Sequence, residues 1–153
     1  MNLKHFTKEG NVYSMKTQKT FAIILIGGLL LVTFATYYAE MPTLPWVFLV
    51  LAILSAISII SKKLTIDLDK KEIHAKIGLV KPAVIIPIDS IQNFELYSLS
   101  QGFIRTNTAL NVYYINKNGK EKSAGIAQGF TLKAMQNILN EIEEILANEP
   151  SKI

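Results

Sequence analysis

Few residues in this sequence could do chemistry, and none has the neighbours that catalysis or metal binding requires. Of the two histidines, His5 lies in a polar N-terminal segment and His74 falls on the outward face of a predicted strand, so we expect both to be solvated. No pattern of histidine and carboxylate spacing in the sequence suggests a metal site. The chain has no cysteine, which excludes thiol nucleophiles and disulfides.

The remaining candidates for chemistry are acidic. Asp67 and Asp69 share one face of a predicted strand and could bind a cation together, although such pairs more often form a polar face that leads into a turn. No nucleophile, base and orienting group can be assembled from the sequence. We therefore expect no enzyme, no catalytic residue, no metal site and no cofactor.

Two apolar runs dominate the first half of the chain. Residues 20–39 carry no charge, and neither do residues 41–61. A helix of twenty residues is about 30 Å long, which matches the hydrocarbon core of a bilayer. We expect transmembrane helices at 20–39 and 44–61, joined by a short extracytoplasmic loop at 40–43. A cleaved signal peptide is the alternative for the first run, but the cleavage spacing lacks small residues and a second full-length run follows.

Aromatic residues mark the loop end of this predicted hairpin. Tyr37, Tyr38 and Trp46 cluster there, and amphipathic rings favour the headgroup level, so we expect them to be membrane-interface aromatics. Neither run contains an Asp, Glu, Lys, Arg or His residue, which disfavours an ion path or proton relay.

The net charge of +4 is concentrated beside the apolar runs. Residues 1–19 carry four lysines against Glu9, and Lys62 and Lys63 directly follow the second run, whereas basic and acidic residues are equal in number from 64 to 153. By the positive-inside rule, both termini are cytoplasmic, including an N-terminal arm at 1–19, and the loop faces outward. The neutral remainder argues against a nucleic-acid partner.

From residue 64 onward the apolar residues alternate, which is typical of strands. Asn118-Gly119 is the dipeptide that best tolerates the positive φ of a tight reverse turn, and it indicates a hairpin. A proline within the third segment indicates an edge strand, apolar on both faces. The predicted strands cover residues 64–69, 73–77, 83–88, 91–99, 109–116 and 120–127.

The last element is predicted to be an amphipathic helix. Apolar residues from Met135 to Leu146 recur at helical spacing and form one stripe, with Glu141 among the polar residues of the other faces. Thr131 is the expected N-cap and Pro150 the expected stop. A helix with one apolar face is expected to pack on one face of a sheet.

Six short antiparallel strands closed by one C-terminal helix resemble a pleckstrin-homology-like (PH-like) roll. With the preceding hairpin, residues 64–149 resemble the small bacterial membrane proteins that carry a PH-like domain behind two transmembrane helices; segments such as 112–120 and 135–139 carry the likeness. The resemblance implies an α+β membrane protein of the bacterial inner membrane. Seven strands are usual in that fold, so either residues 103–106 hide a short strand or residues 11–16 complete the sheet.

Members of this family are generally regarded as binding or assembly modules, and a few resemble bacteriocin immunity proteins. The resemblance thus implies a non-enzymatic module that contacts the lipid bilayer and a protein partner or another copy of itself. The alternative is self-protection against a membrane-active bacteriocin or toxin, intercepted by the hairpin. A subunit of a larger transporter is a third class that stays open.

Candidate contact residues lie in two places. Residues 100–107 break the strand pattern, and there Phe103 and Ile104 adjoin Arg105, the single arginine of the chain; this segment is either a loop that contacts a membrane or partner, or a short core strand. Lys62 and Lys63 at the end of the second run are the other candidates. The turn at 69–72 is too short for headgroup recognition, and we expect it to be solvated.

The join between the second run and the first strand is only two residues long. We therefore predict that the N-terminal arm around Val12, Tyr13 and Met15 docks on the C-terminal domain as an extra edge strand or against the sheet, and covers part of the two-faced strand at 83–88. An arm that merely coats lipid headgroups is the alternative, which Lys16 and Lys19 favour.

Overall fold

The computed structural model describes residues 3–17, 19–101, 104–129 and 131–148. In these ranges the chain is α+β, with three helices and two antiparallel sheets. The chain divides into two compact units. The sheet unit is drawn from Met1–Lys16, Lys63–Ile77 and Lys81–Ile153, and the helical unit from Thr17–Lys62 and Gly78–Val80.

The helical unit contains two apolar helices that pack on each other, α1 (Lys19–Tyr38) and α2 (Leu44–Ser61). Glu40 adopts a positive φ of 55° after α1, and Met41 N–H donates to Thr36 O at 3.2 Å, which closes the helix end. Pro45 lies in the first turn of α2, where its missing N–H leaves no helical bond unmade. The predicted helical hairpin and its proline start are confirmed.

Among the described residues, one helix is long and apolar enough to cross a membrane by length and composition, and that helix is α2. Only 11% of it is buried in the structure, unlike the core helix of a soluble protein. The apolar stretch of α1 among these residues, Ala22–Tyr38, is shorter than such a span.

The first sheet has five strands in sequence order, each antiparallel to the next. Alternation places the apolar side chains of its central strands inward and the polar ones outward. Its strands are β1 (Phe6–Glu9), β2 (Val12–Met15), β3 (Lys63–Asp67), β4 (Glu72–Lys76) and β5 (Val84–Pro87).

The N-terminal arm belongs to this sheet. Strand β2 pairs with β3, with Tyr13 opposite Ile66, although residues 16–62 lie between them in the sequence. The prediction that the arm docks on the sheet as an edge element is confirmed, but the arm supplies two strands rather than one, with β1 at the edge and β2 inside it. Phe6 and Tyr13 are 2% and 3% exposed, so the arm contributes to the core. In the sequence, α1 and α2 are thus inserted between β2 and β3, two strands that are hydrogen-bonded to each other.

Strand β5 forms the opposite edge of the sheet, as its proline predicts. The prediction that the arm covers it is wrong, because β1 and β2 lie at the other edge. Ile86 is buried whereas Ile85 is 54% exposed, so this strand buries one face and needs no second cover.

The second sheet has three strands, β6 (Ile91–Gln101), β7 (Ile104–Ile115) and β8 (Glu121–Gly129). The predicted hairpin of β7 and β8 is confirmed. In its turn only Gly119 has a positive φ, 72°. Asn116 Oδ1 accepts hydrogen bonds from the N–H groups of Asn118 at 2.9 Å and Lys120 at 3.0 Å, so a side chain fixes the turn.

Helix α3 (Leu132–Ala147) follows the second sheet. Thr131 caps it as predicted, with Oγ1 accepting from Ala134 N–H at 3.2 Å. Its apolar stripe is buried with side chains of both sheets in one core. That core includes Leu64, Ile66, Ile73, Leu110, Val112, Ile126, Met135, Ile138, Ile142 and Ile145.

Candidate functional site

The outward face of β3 and β4 collects the polar residues of the first sheet. Leu64 and Ile66 of β3 are buried, which turns Lys63 and Thr65 to the other face. Strand β4 follows the same alternation, with Ile73 and Ala75 inward and its polar residues outward. The outward side chains are Lys63, Thr65 and Asp67 of β3 and Glu72, His74 and Lys76 of β4.

The register of the hairpin brings like charges together. Lys63 lies directly opposite Lys76, and Thr65 lies opposite His74. Like charges at directly opposed positions of an antiparallel pair are destabilising. Within the part of the chain that the structure describes, neither lysine has a carboxylate within 4.0 Å.

These residues line an open groove of about 270 Å³. Its wall includes Lys63, Lys70 and Lys76, together with Thr65 and His74, and Asp67 is the acid that also lines it. The groove is therefore mainly basic. We call it the lysine groove.

A buried hydroxyl without a partner lies in this wall. Thr65 Oγ1 is shielded from solvent and makes no hydrogen bond in the described structure. A buried polar atom without a partner costs about 1–3 kcal/mol. Thr65 thus places a hydroxyl without a partner in the wall of a basic groove.

The acidic residues that could have bound a cation are engaged elsewhere. Asp67 Oδ1 accepts from Lys70 N–H at 3.0 Å, and its Oδ2 lies 3.9 Å from Lys70 Nζ. Asp69 Oδ1 accepts from Asn11 Nδ2 at 2.7 Å. The two carboxylates therefore fix the β3–β4 turn and its contact with the arm. In the described ranges, no group of three His, Cys, Asp or Glu side chains is arranged to hold a metal ion.

A contact between the arm and α3 was not foreseen from the sequence. Glu141 is 9% exposed, and its Oε1 lies 2.7 Å from His5 Nδ1. The same carboxylate accepts from the backbone N–H of Lys4 at 3.2 Å and of His5 at 3.0 Å. The expectations that His5 is solvated and that Glu141 lies on an outer face are therefore wrong. Because a carboxylate only accepts hydrogen bonds, the proton in the ring contact lies on Nδ1.

The environment of Glu141 shifts its titration. Burial favours the neutral acid, but the hydrogen bonds from the His5 side chain and backbone and from the Lys4 backbone outweigh it and lower the pKa below its ordinary value of 4.5. The acid is therefore ionised at neutral pH and binds the arm as a carboxylate.

His74 lies on the outward face of β4 as predicted, and its Nε2 is 3.1 Å from Glu72 Oε2. Thr65 faces it across the strand pair. This imidazole lines the lysine groove.

The predicted contact segment is mostly regular structure. Gln101 pairs with Ile104 and Ser100 with Arg105, so β6 and β7 continue through residues that were predicted to interrupt the strand pattern. The interpretation of residues 100–107 as an irregular loop is therefore wrong for the described residues. Phe103 lies outside them, and its predicted contact stays a prediction, as do those of Ile104 and Arg105.

The predicted lysine pair after the second helix is divided between two elements. Lys62 caps α2, with its N–H donating to Ile59 O at 3.3 Å. Lys63 begins β3 and lines the lysine groove. The sequence indicated Lys63 as a contact residue. Its cross-strand partner Lys76 could be identified only from the strand register of the structure.

The three predicted interface aromatics lie at the loop end of the helical unit. Tyr37, Tyr38 and Trp46 are 69%, 78% and 67% exposed. Tyr37 and Trp46 also line an apolar groove of about 270 Å³ between the two helices. The other residues of this aromatic groove are Thr33, Phe34, Pro45 and Leu49.

Comparison with known proteins identifies no relative, so a function can be inferred only from the fold and from these grooves. No family model matches this sequence, and no curated protein matches it significantly.

Proposed function

We propose that this protein is a non-enzymatic, membrane-anchored binding or assembly module that acts at the cytoplasmic face of a bacterial inner membrane. The observation that carries the proposal is α2, a helix of membrane-spanning length and composition that leads directly into β3. A sheet unit attached through one intervening residue, Lys62, stays close to the bilayer. In this proposal α1 is the other span of a multi-pass hairpin.

The order of elements supports a PH-like sheet unit. Strands β2–β5 and β6–β8 provide the seven strands of a PH-like roll, and α3 follows them. Strand β1 is then an addition at the edge, and the helical unit is an insertion between the first two strands of the roll. The grooves of both units support a binding function.

Charge orients the protein. Lysines before α1 and after α2 outnumber acidic residues, and the connection between the helices carries only Glu40. The positive-inside rule then places the loop outside and the sheet unit in the cytoplasm.

Membrane integration and assembly are tested with the full chain in bacterial membranes. We expect the protein to stay in the membrane pellet after alkaline carbonate extraction, and two differently tagged copies, or a copy and a partner, to crosslink through the sheet unit. Replacing residues 20–61 with an unrelated helical hairpin should preserve that crosslink. Release by carbonate would contradict anchoring, and loss of the crosslink in the chimera would contradict a binding role of the sheet unit.

The aromatic groove favours a second candidate function, immunity to a membrane-active peptide. An apolar, aromatic-lined surface at the loop end of the hairpin suits the apolar face of such a peptide. Expression of the chain should then protect cells from a membrane-active bacteriocin. The hairpin chimera separates the two functions, because it would lose protection but keep the contacts of the sheet unit.

A further inference from the structure

We propose that the lysine groove binds a phosphate group, presented either by a lipid headgroup or by a free phosphate. The inference deepens the proposed binding role, and it depends on membrane anchoring only for the lipid source of the phosphate. Three independent features of the groove carry it: an opposed lysine pair, a buried hydroxyl without a partner, and a small volume.

The opposed lysines need an anion. Lys63 and Lys76 face each other across β3 and β4, and neither has a carboxylate within 4.0 Å in the described chain. The repulsion between them is relieved when one anion lies between the two ammonium groups. Lysine binds phosphate well as a point charge, so the chemistry of the pair fits this ligand.

The hydroxyl of Thr65 supplies a directed donor. Its Oγ1 is buried without a hydrogen bond, and the residue lines the same groove as the two lysines. His74, opposite Thr65, provides an imidazole at the groove wall. A phosphate has several oxygens and can accept from more than one of these donors.

Nearby acids leave the groove basic. Asp67 is bonded to Lys70 N–H and lies 3.9 Å from Lys70 Nζ, and Glu72 is bonded to His74. The charges that line the groove are therefore three lysines against one aspartate.

The volume of the groove accommodates a small ligand. The groove measures about 270 Å³. Sites for drug-sized ligands are typically about 300–1,000 Å³, so this one suits an inorganic anion or a single headgroup. Only Lys62 separates the end of α2 from Lys63, the first residue of β3, so in the proposed membrane anchor a headgroup is an available source.

Binding is tested on the full chain in a nonionic detergent by titrating inorganic phosphate and following the backbone amide signals by NMR. We expect the amides of Thr65, His74 and Lys76 to shift saturably, and sodium chloride at equal ionic strength not to reproduce the shifts. Lys76→Gln and Thr65→Val should each weaken phosphate binding about tenfold, because each removes a donor to a charged group. Lys122→Gln, which removes a lysine from a strand of the second sheet, should leave the affinity unchanged.

The variants also report on folding. Thr65→Val removes a buried hydroxyl that has no partner, and Lys76→Gln removes a like-charge contact, so without phosphate both should be at least as stable as the original protein. Equal phosphate affinity in all three variants, or shifts that chloride reproduces, would overturn the proposal.

A second experiment, in lipid nanodiscs, distinguishes a lipid headgroup from a free phosphate. If a lipid headgroup occupies the groove, the same amide signals should shift in phosphatidylglycerol discs but not in phosphatidylcholine discs. Phosphatidylglycerol should then also compete with added phosphate. If the ligand is a free phosphate, its affinity should be equal in both discs. Failure of phosphate to bind in detergent and in either disc would overturn the inference while leaving carbonate-resistant anchoring intact.

Discussion

Glu141 of α3 lies 2.7 Å from His5 Nδ1, a contact between residues 136 positions apart in the sequence. The same carboxylate accepts from two backbone N–H groups of the arm, those of Lys4 and His5. One buried acid thus joins the last helix to the strands that precede the helical unit. The arm and the C-terminal part are held together by this contact as well as by the pairing of β2 with β3.

Replacing Glu141 should loosen the arm. Glu141→Gln removes the charge that accepts three arm hydrogen bonds, and a hydrogen bond to a charged group contributes about 1.5–3 kcal/mol, so we expect a loss of about 2 kcal/mol in the free energy of unfolding. Hydrogen exchange of the β1 and β2 amides should accelerate most. Glu143→Gln, on the exposed side of the same helix, is the matched control and should change neither quantity.

The same carboxylate predicts a pH dependence. Because its folded pKa lies below the ordinary 4.5, its contribution to stability is complete above about pH 4.5 and is lost as the pH falls through the lower folded pKa. The stability difference between the original protein and Glu141→Gln should therefore shrink on acidification below pH 4.5. A difference that stays constant down to the acid limit of folding would contradict the assignment.

Phe6 anchors β1 in the core. It is 2% exposed, so Phe6→Ala should cost about 3–5 kcal/mol through lost burial and the cavity left behind. Thr7→Ala, at an exposed position of the same strand, should change stability by about 0.5 kcal/mol or less. Chemical denaturation of both variants measures the difference, and equal stabilities would show that β1 does not pack in solution.

The start of α3 depends on Thr131. Thr131→Ala removes the acceptor of the Ala134 N–H and should cost about 1 kcal/mol. Thr131→Ser keeps an oxygen at that position and should retain most of the stability. Thermal unfolding compares the two, and an alanine variant as stable as the serine variant would exclude the cap.

Local patterns in the sequence predicted much of this fold. The stripe from Met135 to Ile145 and the alternation in β3 and β4 each lie within one short segment, where periodicity is decisive. Strand β1 went unpredicted because Phe6 is its only apolar residue, and four residues provide too little alternation.

The candidate sites depend on contacts that no local pattern carries. The His5–Glu141 contact joins distant segments, and a glutamate on the polar side of a helix gives no sign that an arm will cover it. The opposition of Lys63 and Lys76 follows from strand register, which the β3–β4 turn at 68–71 fixes. Of the residues that line the lysine groove, only Lys63 was foreseen as a contact residue, from its place after the second apolar run.

Cysteine accessibility in intact cells tests most directly that the two ends of the chain form one cytoplasmic domain, with a membrane hairpin inserted between β2 and β3. The chain has no cysteine, so single-cysteine variants at Glu9, Thr43 and Lys120 report one position each. We expect a membrane-impermeant maleimide to label Thr43→Cys in intact cells, and Glu9→Cys and Lys120→Cys only after the membrane is opened. Labelling of Lys120→Cys with protection of Thr43→Cys, or labelling of Glu9→Cys and Lys120→Cys from opposite sides, would contradict the account.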